Sequence, residues 1–240
     1  MHMEQQRLPG PLSRVGRFMA APASRKEFIR YVGLSGVSAT LLAGCLKAVP
    51  NFKEDGKGPT NTVSLGTGDT GILNFAYVLE QLQAAFYTVV AADPYENIDS
   101  LALSRLTDIR DHEIAHREFF KNLLGKNAIP ALAPNFTSIN FAVKDSVLTA
   151  AKVFEDLGVS AYNGVGWLIQ DSEWLTIVGK IVSVEARHAA YVSELSNTGN
   201  FAGASVTSDG REKDKTPAQV LQIIQPFITE TLDGSGLPTA

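Results

Sequence analysis

The sequence predicts an all-α protein, a four-helix bundle with a long crossover between its second and third helices and a C-terminal helical extension. From Ile72 onward, apolar residues recur at the spacing of one helix face, and no run alternates convincingly as a strand does. The chain has 240 residues, of which 45% are hydrophobic and 19% charged, so it can build a core and is not a disordered chain.

Four long helices are expected in the periodic part of the chain, near residues 71–91, 99–124, 145–170 and 172–195. Asp93-Pro94 ends the first helix, and Gly125 ends the second. Residues 126–144 contain two prolines and lack a clear period, so they form the crossover between two helix pairs. The bundle therefore spans residues 69–196.

The last part of the chain, residues 197–240, is predicted to be a loop followed by a helix. The loop is rich in Gly, Ser, Asn, Asp and Lys. Thr216-Pro217 provides an N-cap followed by a proline in the first helical position, so the helix begins there and runs to about Leu232. Pro226 lies inside this range and is expected to kink or break the helix.

Residues 1–45 are predicted to be a bacterial signal peptide. Six basic residues stand against two acidic ones, and the uncharged run Tyr31–Ala43 is shorter than the roughly 20 residues that span a bilayer. Leu42-Ala43-Gly44-Cys45 resembles a lipobox, which implies lipidation of Cys45 and a lipid-anchored envelope protein. Ser24–Ile29 resembles a twin-arginine motif with Lys26 in place of one arginine, so export by the Sec or the Tat route stays open.

Residues 46–68 are polar and rich in Gly, Lys, Thr and Asn, which predicts a flexible tether between anchor and bundle. The formal net charge of −4 disfavours nucleic-acid binding, which needs a basic surface. The single cysteine, Cys45, excludes a disulfide scaffold and any metal site built from several cysteines.

The core-facing stripes of the second and fourth helices carry the same polar motif. The stripe of the second helix comprises Leu106, Ile109, Glu113, His116, Phe120 and Leu123. The stripe of the fourth comprises Val178, Ile181, Glu185, His188, Val192 and Leu195. Each stripe is apolar except at its centre, where a glutamate and a histidine three residues apart share one face.

The first and third helices each add one glutamate to the core, Glu80 and Glu155. Glu80 precedes Glu113 by 33 residues, and Glu155 precedes Glu185 by 30, which indicates a duplicated helix pair. Four carboxylates in a low-dielectric core must be neutralised, and no lysine or arginine lies on these stripes. Two divalent cations would supply the charge, and carboxylate and imidazole ligands suit iron or manganese.

Four segments of the chain resemble the ferritin-like domain of the desiccation-related protein group. They are Asn74–Tyr87, His112–His116, Phe154–Tyr162 and Val184–Tyr191, within a resemblance that covers about residues 68–196. The resemblance implies a ferritin-like bundle and a site for two iron or manganese ions. The implied metal ligands are Glu80, Glu113, His116, Glu155, Glu185 and His188.

Other polar residues are expected around the ligands rather than among them. Where the family has a further glutamate on the first helix this chain has Gln83, which is neutral and is expected to donate a hydrogen bond to a ligand. Tyr87, Tyr162 and Tyr191 lie on or beside the stripes. They are expected either to contact the ligands or to serve as core aromatic residues with a bonded hydroxyl.

Three functions are compatible with the sequence. The first is redox chemistry on dioxygen or peroxide in the cell envelope, in stress protection. The second is a non-catalytic scaffold that is stress-protective or binds a partner. The third is a zinc protease, because His112-Glu113-x-x-His116 matches the motif of that class, although this leaves Glu80, Glu155 and the second Glu-x-x-His motif unexplained.

Overall fold

A computed structural model describes residues 61–196, 201–202 and 205–239. The predicted signal peptide, the lipidation site Cys45 and most of the predicted tether lie outside the described residues. Within the described part of the chain, no helix is both long enough and apolar enough to cross a membrane.

Four long helices form the bundle, and they confirm the predicted all-α fold. They are α1 (Gly68–Ala92), α2 (Ser100–Leu124), α3 (Lys144–Gly166) and α4 (Ser172–Leu195). Contacts are most extensive between α1 and α2 and between α3 and α4, so each predicted pair packs together. The fold is thus two helix pairs joined by one crossover.

Helix α1 is the central element of the core. Every residue from Gly71 to Ala84 is buried, including the polar Asn74, Gln81 and Gln83. A helix that is apolar around most of its circumference is stable only when other elements surround it. The crossover and the first and last described segments, around Leu65 and Leu237, provide that cover in addition to α2 and α3.

Aspartate side chains cap the starts of two of the four long helices. Asp99 caps α2 by accepting a hydrogen bond from the backbone N–H of Ala102 at 2.8 Å. Asp171 caps α4 in the same way, and Asp69 at the start of α1 accepts from the backbone of Asp171 at 2.8 Å. Because Asp69 binds the chain at the start of α4, it joins the first and last helices of the bundle at one end.

The crossover is held against α1 by two buried amides. The Asn74 side chain accepts from the Ile129 backbone at 3.0 Å and donates to the Leu65 carbonyl at 3.1 Å. Gln81 Oε1 accepts from the Leu132 backbone at 2.9 Å. These bonds satisfy irregular backbone that would otherwise be buried without partners.

The C-terminal helix is shorter than predicted. Helix α5 (Pro217–Ile224) is followed by a 3₁₀ turn at Gln225–Phe227 and a strand, β2 (Thr231–Asp233). Pro226 breaks the helix, as expected, because it has no N–H to donate to the preceding turn. The predicted continuation to Leu232 is wrong: that segment pairs with another strand instead.

A small parallel sheet joins the two ends of the described chain. Strand β1 (Thr62–Ser64) pairs with β2 so that Val63 lies opposite Leu232. Strand β1 lies within the range predicted to be a flexible tether, so the last part of that range is ordered. Three residues are too few to show the alternation that identifies a strand in a sequence.

The C-terminal segment also packs closely on α3. The backbone N–H of Lys215 donates to the Ser160 carbonyl at 3.0 Å. A methyl group at Gly164 would lie 1.9 Å from the Lys215 carbonyl oxygen, a distance that no relaxed structure allows. Gly164 therefore permits the approach of this segment to the helix.

We expect Gly164→Ala to lower the free energy of unfolding by about 1–3 kcal/mol, because the added carbon forces the C-terminal segment away from α3. Gly179→Ala is the matched control, since Gly179 is also helical but has nothing within 4 Å of an added carbon. The control should be neutral or stabilising by up to about 1 kcal/mol. Urea denaturation followed by circular dichroism measures both, and equal effects would contradict this account.

Candidate metal centre

The six residues predicted as metal ligands meet in the middle of the bundle. The side chains of Glu80, Glu113, Glu155 and Glu185 are fully buried, one from each long helix. His188 is buried as well, whereas 13% of the His116 side chain is exposed. Among the six residues, the site is therefore closest to solvent at His116 on α2.

Two groups of these side chains could each hold a metal ion, and each group places one candidate ligand atom per residue within 4.8 Å of the others. The first group consists of Glu80, Glu113, His116 and Glu185, and the second of Glu113, Glu155, Glu185 and His188. Glu113 and Glu185 belong to both. The two candidate positions are thus adjacent and share two carboxylates.

Each histidine directs Nδ1 toward carboxylates. His116 Nδ1 lies 3.3 Å from Glu80 Oε2 and 3.1 Å from Glu185 Oε1. His188 Nδ1 lies 2.8 Å from Glu113 Oε1 and 3.6 Å from Glu155 Oε2. The same nitrogen of both rings therefore faces the centre of the cluster.

Many polar atoms of the cluster are buried without a well-formed hydrogen bond in the described part of the chain. They are Glu80 Oε2, both carboxylate oxygens of Glu113 and of Glu155, Glu185 Oε1, and Nδ1 of His116 and of His188. Such atoms destabilise a fold unless something binds them. No lysine or arginine occurs among the described buried residues, so a metal cation fits this donor set.

Burial and neighbouring charges together raise the pKa values of the two glutamates that belong to both candidate groups, Glu113 and Glu185. Burial, and then the charge of Glu185, raises the pKa of Glu113 well above its ordinary value. Burial, and then the charge of Glu80, raises the pKa of Glu185. Burial lowers the pKa of His116, but Glu80 and the other carboxylates outweigh it, so that its pKa is raised. Without a metal ion, Glu113, Glu185 and His116 therefore favour their protonated forms.

A second layer of side chains holds the carboxylates. Gln83 Nε2 donates to Glu185 Oε2 at 3.3 Å, in the role that the sequence predicts. The Tyr162 hydroxyl donates to Glu80 Oε1, so a residue of α3 holds the glutamate of α1. Burial, and then the charge of Glu80, raises the pKa of Tyr162, which keeps its hydroxyl protonated as a donor.

The other two tyrosines differ from one another. Tyr87 is fully buried, its hydroxyl has no well-formed hydrogen bond within the described residues, and burial followed by the charge of Glu155 raises its pKa. Tyr191 is only half-buried, and the charge that raises its pKa, after burial, is that of Asp99 at the start of α2. The structure does not bring Tyr191 to the six ligands.

His112 is the functional candidate that sequence reasoning missed in this role. Its Nδ1 lies 2.9 Å from Nε2 of His188, and the two rings are parallel with centroids 5.2 Å apart. His112 belongs to neither of the two candidate groups for a metal ion. The signal in the sequence is its place directly before Glu113, where it also completes the His-Glu-x-x-His motif.

This arrangement disfavours a zinc protease site. In that class both histidines of His-Glu-x-x-His bind one ion, and the glutamate activates water. Here His116 faces Glu80 and Glu185, while Nδ1 of His112 contacts the outer nitrogen of His188. The two histidines of the motif do not converge.

The fold and the cluster together define a helical bundle whose core is lined by carboxylates and imidazoles and could hold metal. The ferritin-like domain family matches residues 68–198, which is more than half of the chain. The protein therefore belongs to the ferritin-like domain family. A search of curated proteins finds no significant match.

The raised pKa values predict how the metal-free protein responds to pH. A carboxyl group or a histidine with a raised pKa stabilises the fold at low pH, and that stability is lost as the pH rises. For Glu113 and Glu185 the loss begins above about pH 4.5, and the histidines add to it above about pH 6.5. We therefore expect the urea concentration at the midpoint of unfolding, measured after chelation of metal, to decrease as the pH is raised from about 5 to about 8.

The control for this experiment is the double variant Glu113→Gln/Glu185→Gln, which has the same shape but neither titrating carboxyl group. Its urea midpoint should depend less on pH than that of the metal-free wild type. If the wild-type midpoint rises over the same range, or if both proteins respond equally, the cluster does not control the pH dependence.

Proposed function

We propose that this protein holds a carboxylate-bridged pair of iron or manganese ions and uses it for redox chemistry on dioxygen or peroxide. Glu80, Glu113, His116, Glu155, Glu185 and His188 would be the ligands, with Glu113 and Glu185 bridging the two ions. We further propose that the protein acts in the cell envelope in stress protection, as a member of the desiccation-related group.

One observation carries this proposal: four fully buried glutamates form two overlapping groups of ligand atoms. Four carboxylates carry the charge that two divalent cations neutralise. A single ion would leave half of this charge uncompensated in a low-dielectric core. Shared carboxylates and one imidazole for each ion suit iron and manganese, which accept the same donors.

The chain contributes binding, orientation and the exclusion of water. When bound, a pair of such ions can give two electrons to peroxide, which takes up two protons and becomes two molecules of water. The Tyr162 hydroxyl holds Glu80, and the Gln83 amide holds Glu185, so these carboxylates keep their direction. Burial of all four glutamates keeps bulk water from the centre.

The proposed location depends on the sequence around Cys45. If Cys45 is lipidated, full-length protein expressed in a bacterium should separate with the membrane fraction. Cys45→Ser should abolish incorporation of labelled fatty acid into the protein, because serine cannot form the thioether that carries the lipid. Equal labelling of the two proteins would contradict the anchor but would leave the metal site untouched.

Metal content is the first test of the site. We expect full-length protein, loaded without oxygen, to retain about two iron or manganese ions per chain by elemental analysis. Glu113→Gln/Glu185→Gln should lose both ions, because each variant glutamate belongs to both groups. Glu118→Gln/Glu194→Gln is the matched control, with one changed glutamate on α2 and one on α4, both outside the cluster.

Either of two results would count against the site: no bound metal in the wild type, or equal binding in the two double variants. Retention of a single zinc ion per chain would favour the protease alternative.

Turnover then separates an enzyme from a scaffold. We expect the iron-loaded protein to consume peroxide or dioxygen faster than the same iron in the presence of Glu113→Gln/Glu185→Gln protein. An added reductant, or a second molecule of peroxide that acts as the reductant, returns the ions to their starting state. When either is supplied in excess, repeated turnover can be measured. A protein that binds two ions but consumes neither oxidant would be a scaffold with a stable metal core.

A further inference from the structure

We infer that His112 is a positioning residue that fixes the orientation and tautomer of His188 for metal binding. This inference rests on the proposed function, because it assigns a partner to one of its ligands. His112 is exposed on α2, whereas His188 is buried on α4, so the contact links the surface to the cluster across the two helices.

The two nitrogens of His188 have different surroundings. Nδ1 faces Glu113 at 2.8 Å, and Nε2 faces Nδ1 of His112 at 2.9 Å. A neutral imidazole binds metal through a nitrogen that carries no hydrogen, so metal binding by Nδ1 leaves the hydrogen on Nε2. Nε2 would then donate to Nδ1 of His112, which must carry its own hydrogen on the other nitrogen.

In many metal sites the outer nitrogen of a ligating histidine donates to a carboxylate or a carbonyl oxygen. A carboxylate here would add a fifth negative charge to a centre that has four. A neutral imidazole accepts the same hydrogen bond without that charge. The two rings are parallel and meet edge to edge through Nε2 of His188 and Nδ1 of His112, which is the geometry of an in-plane hydrogen bond that orients His188.

The duplicated helix pairs differ at this position. His112 precedes Glu113, while Val184 precedes Glu185 and has no hydrogen-bond acceptor in its side chain. Val184 therefore cannot accept a hydrogen bond from His116 in the way that His112 can accept one from His188. The two metal positions are inequivalent as a result, and replacement of His112 should affect the one beside His188.

Binding of Co²⁺ to the full-length protein tests the inference, because its visible absorption reports on the ligands. His112→Ala removes the acceptor, and His112→Asn places an amide oxygen where Nδ1 lies. We expect His112→Ala to weaken Co²⁺ binding by about 10–100-fold and to change the absorption bands. His112→Asn should restore most of the affinity and the wild-type bands.

Two controls separate positioning from a structural role. Val184→Ala shortens the side chain at the equivalent position of α4 and should leave Co²⁺ affinity unchanged. The urea midpoint of each metal-free variant should match that of the wild type, since His112 is exposed and its removal leaves no core cavity.

Wild-type affinity and bands in His112→Ala would overturn the inference, and so would an Asn variant as weak as the Ala variant. A fall in metal-free stability that accounts for the lost affinity would also overturn it. Failure of the wild type to bind Co²⁺ is a different result, because it removes the proposed metal site itself.

Discussion

The whole structure depends on four carboxylates that share a core without a lysine or arginine among its described buried residues. Burial of one such group is unfavourable, and burial of four is tolerable only if protons or cations accompany them. The raised pKa values of Glu113 and Glu185 show what this constraint does without metal. Each long helix contributes one of the glutamates, so the packing of all four helices depends on neutralisation of these charges by protons or cations.

Most of the fold could be predicted because its signals are local. Helical periodicity identified the four long helices, and the interruption of each apolar stripe identified the six candidate ligands. The strand pair could not be predicted, because its two three-residue strands lie at opposite ends of the described chain. The contact of His112 with His188 joins residues 76 positions apart. Such contacts depend on how helices pack, which periodicity does not specify.

The two duplicated halves are not identical around the cluster. The Tyr162 hydroxyl of α3 donates to Glu80 of α1, whereas the equivalent Tyr87 of α1 has a buried hydroxyl without a well-formed hydrogen bond among the described residues. The residues three positions after Glu80 and after Glu155 differ, since Gln83 is large and Gly158 has no side chain. A carbon added at Gly158 would lie 3.0 Å from Glu185 Oε2 and 3.5 Å from Gln83 Nε2. The absence of a side chain at Gly158 therefore leaves room for the Gln83 amide and the Glu185 carboxylate.

The pairing of β1 with β2 has a mechanical consequence. Strand β1 shortly precedes α1, the helix that carries Glu80, and 61 residues lie upstream of it in the sequence. Tension on those upstream residues reaches the β1–β2 hydrogen bonds, such as the one from Thr231 to the Asn61 carbonyl at 3.1 Å, before it reaches α1. A force applied through the upstream chain would therefore have to break the hydrogen bonds between β1 and β2 before it could unwind the start of α1.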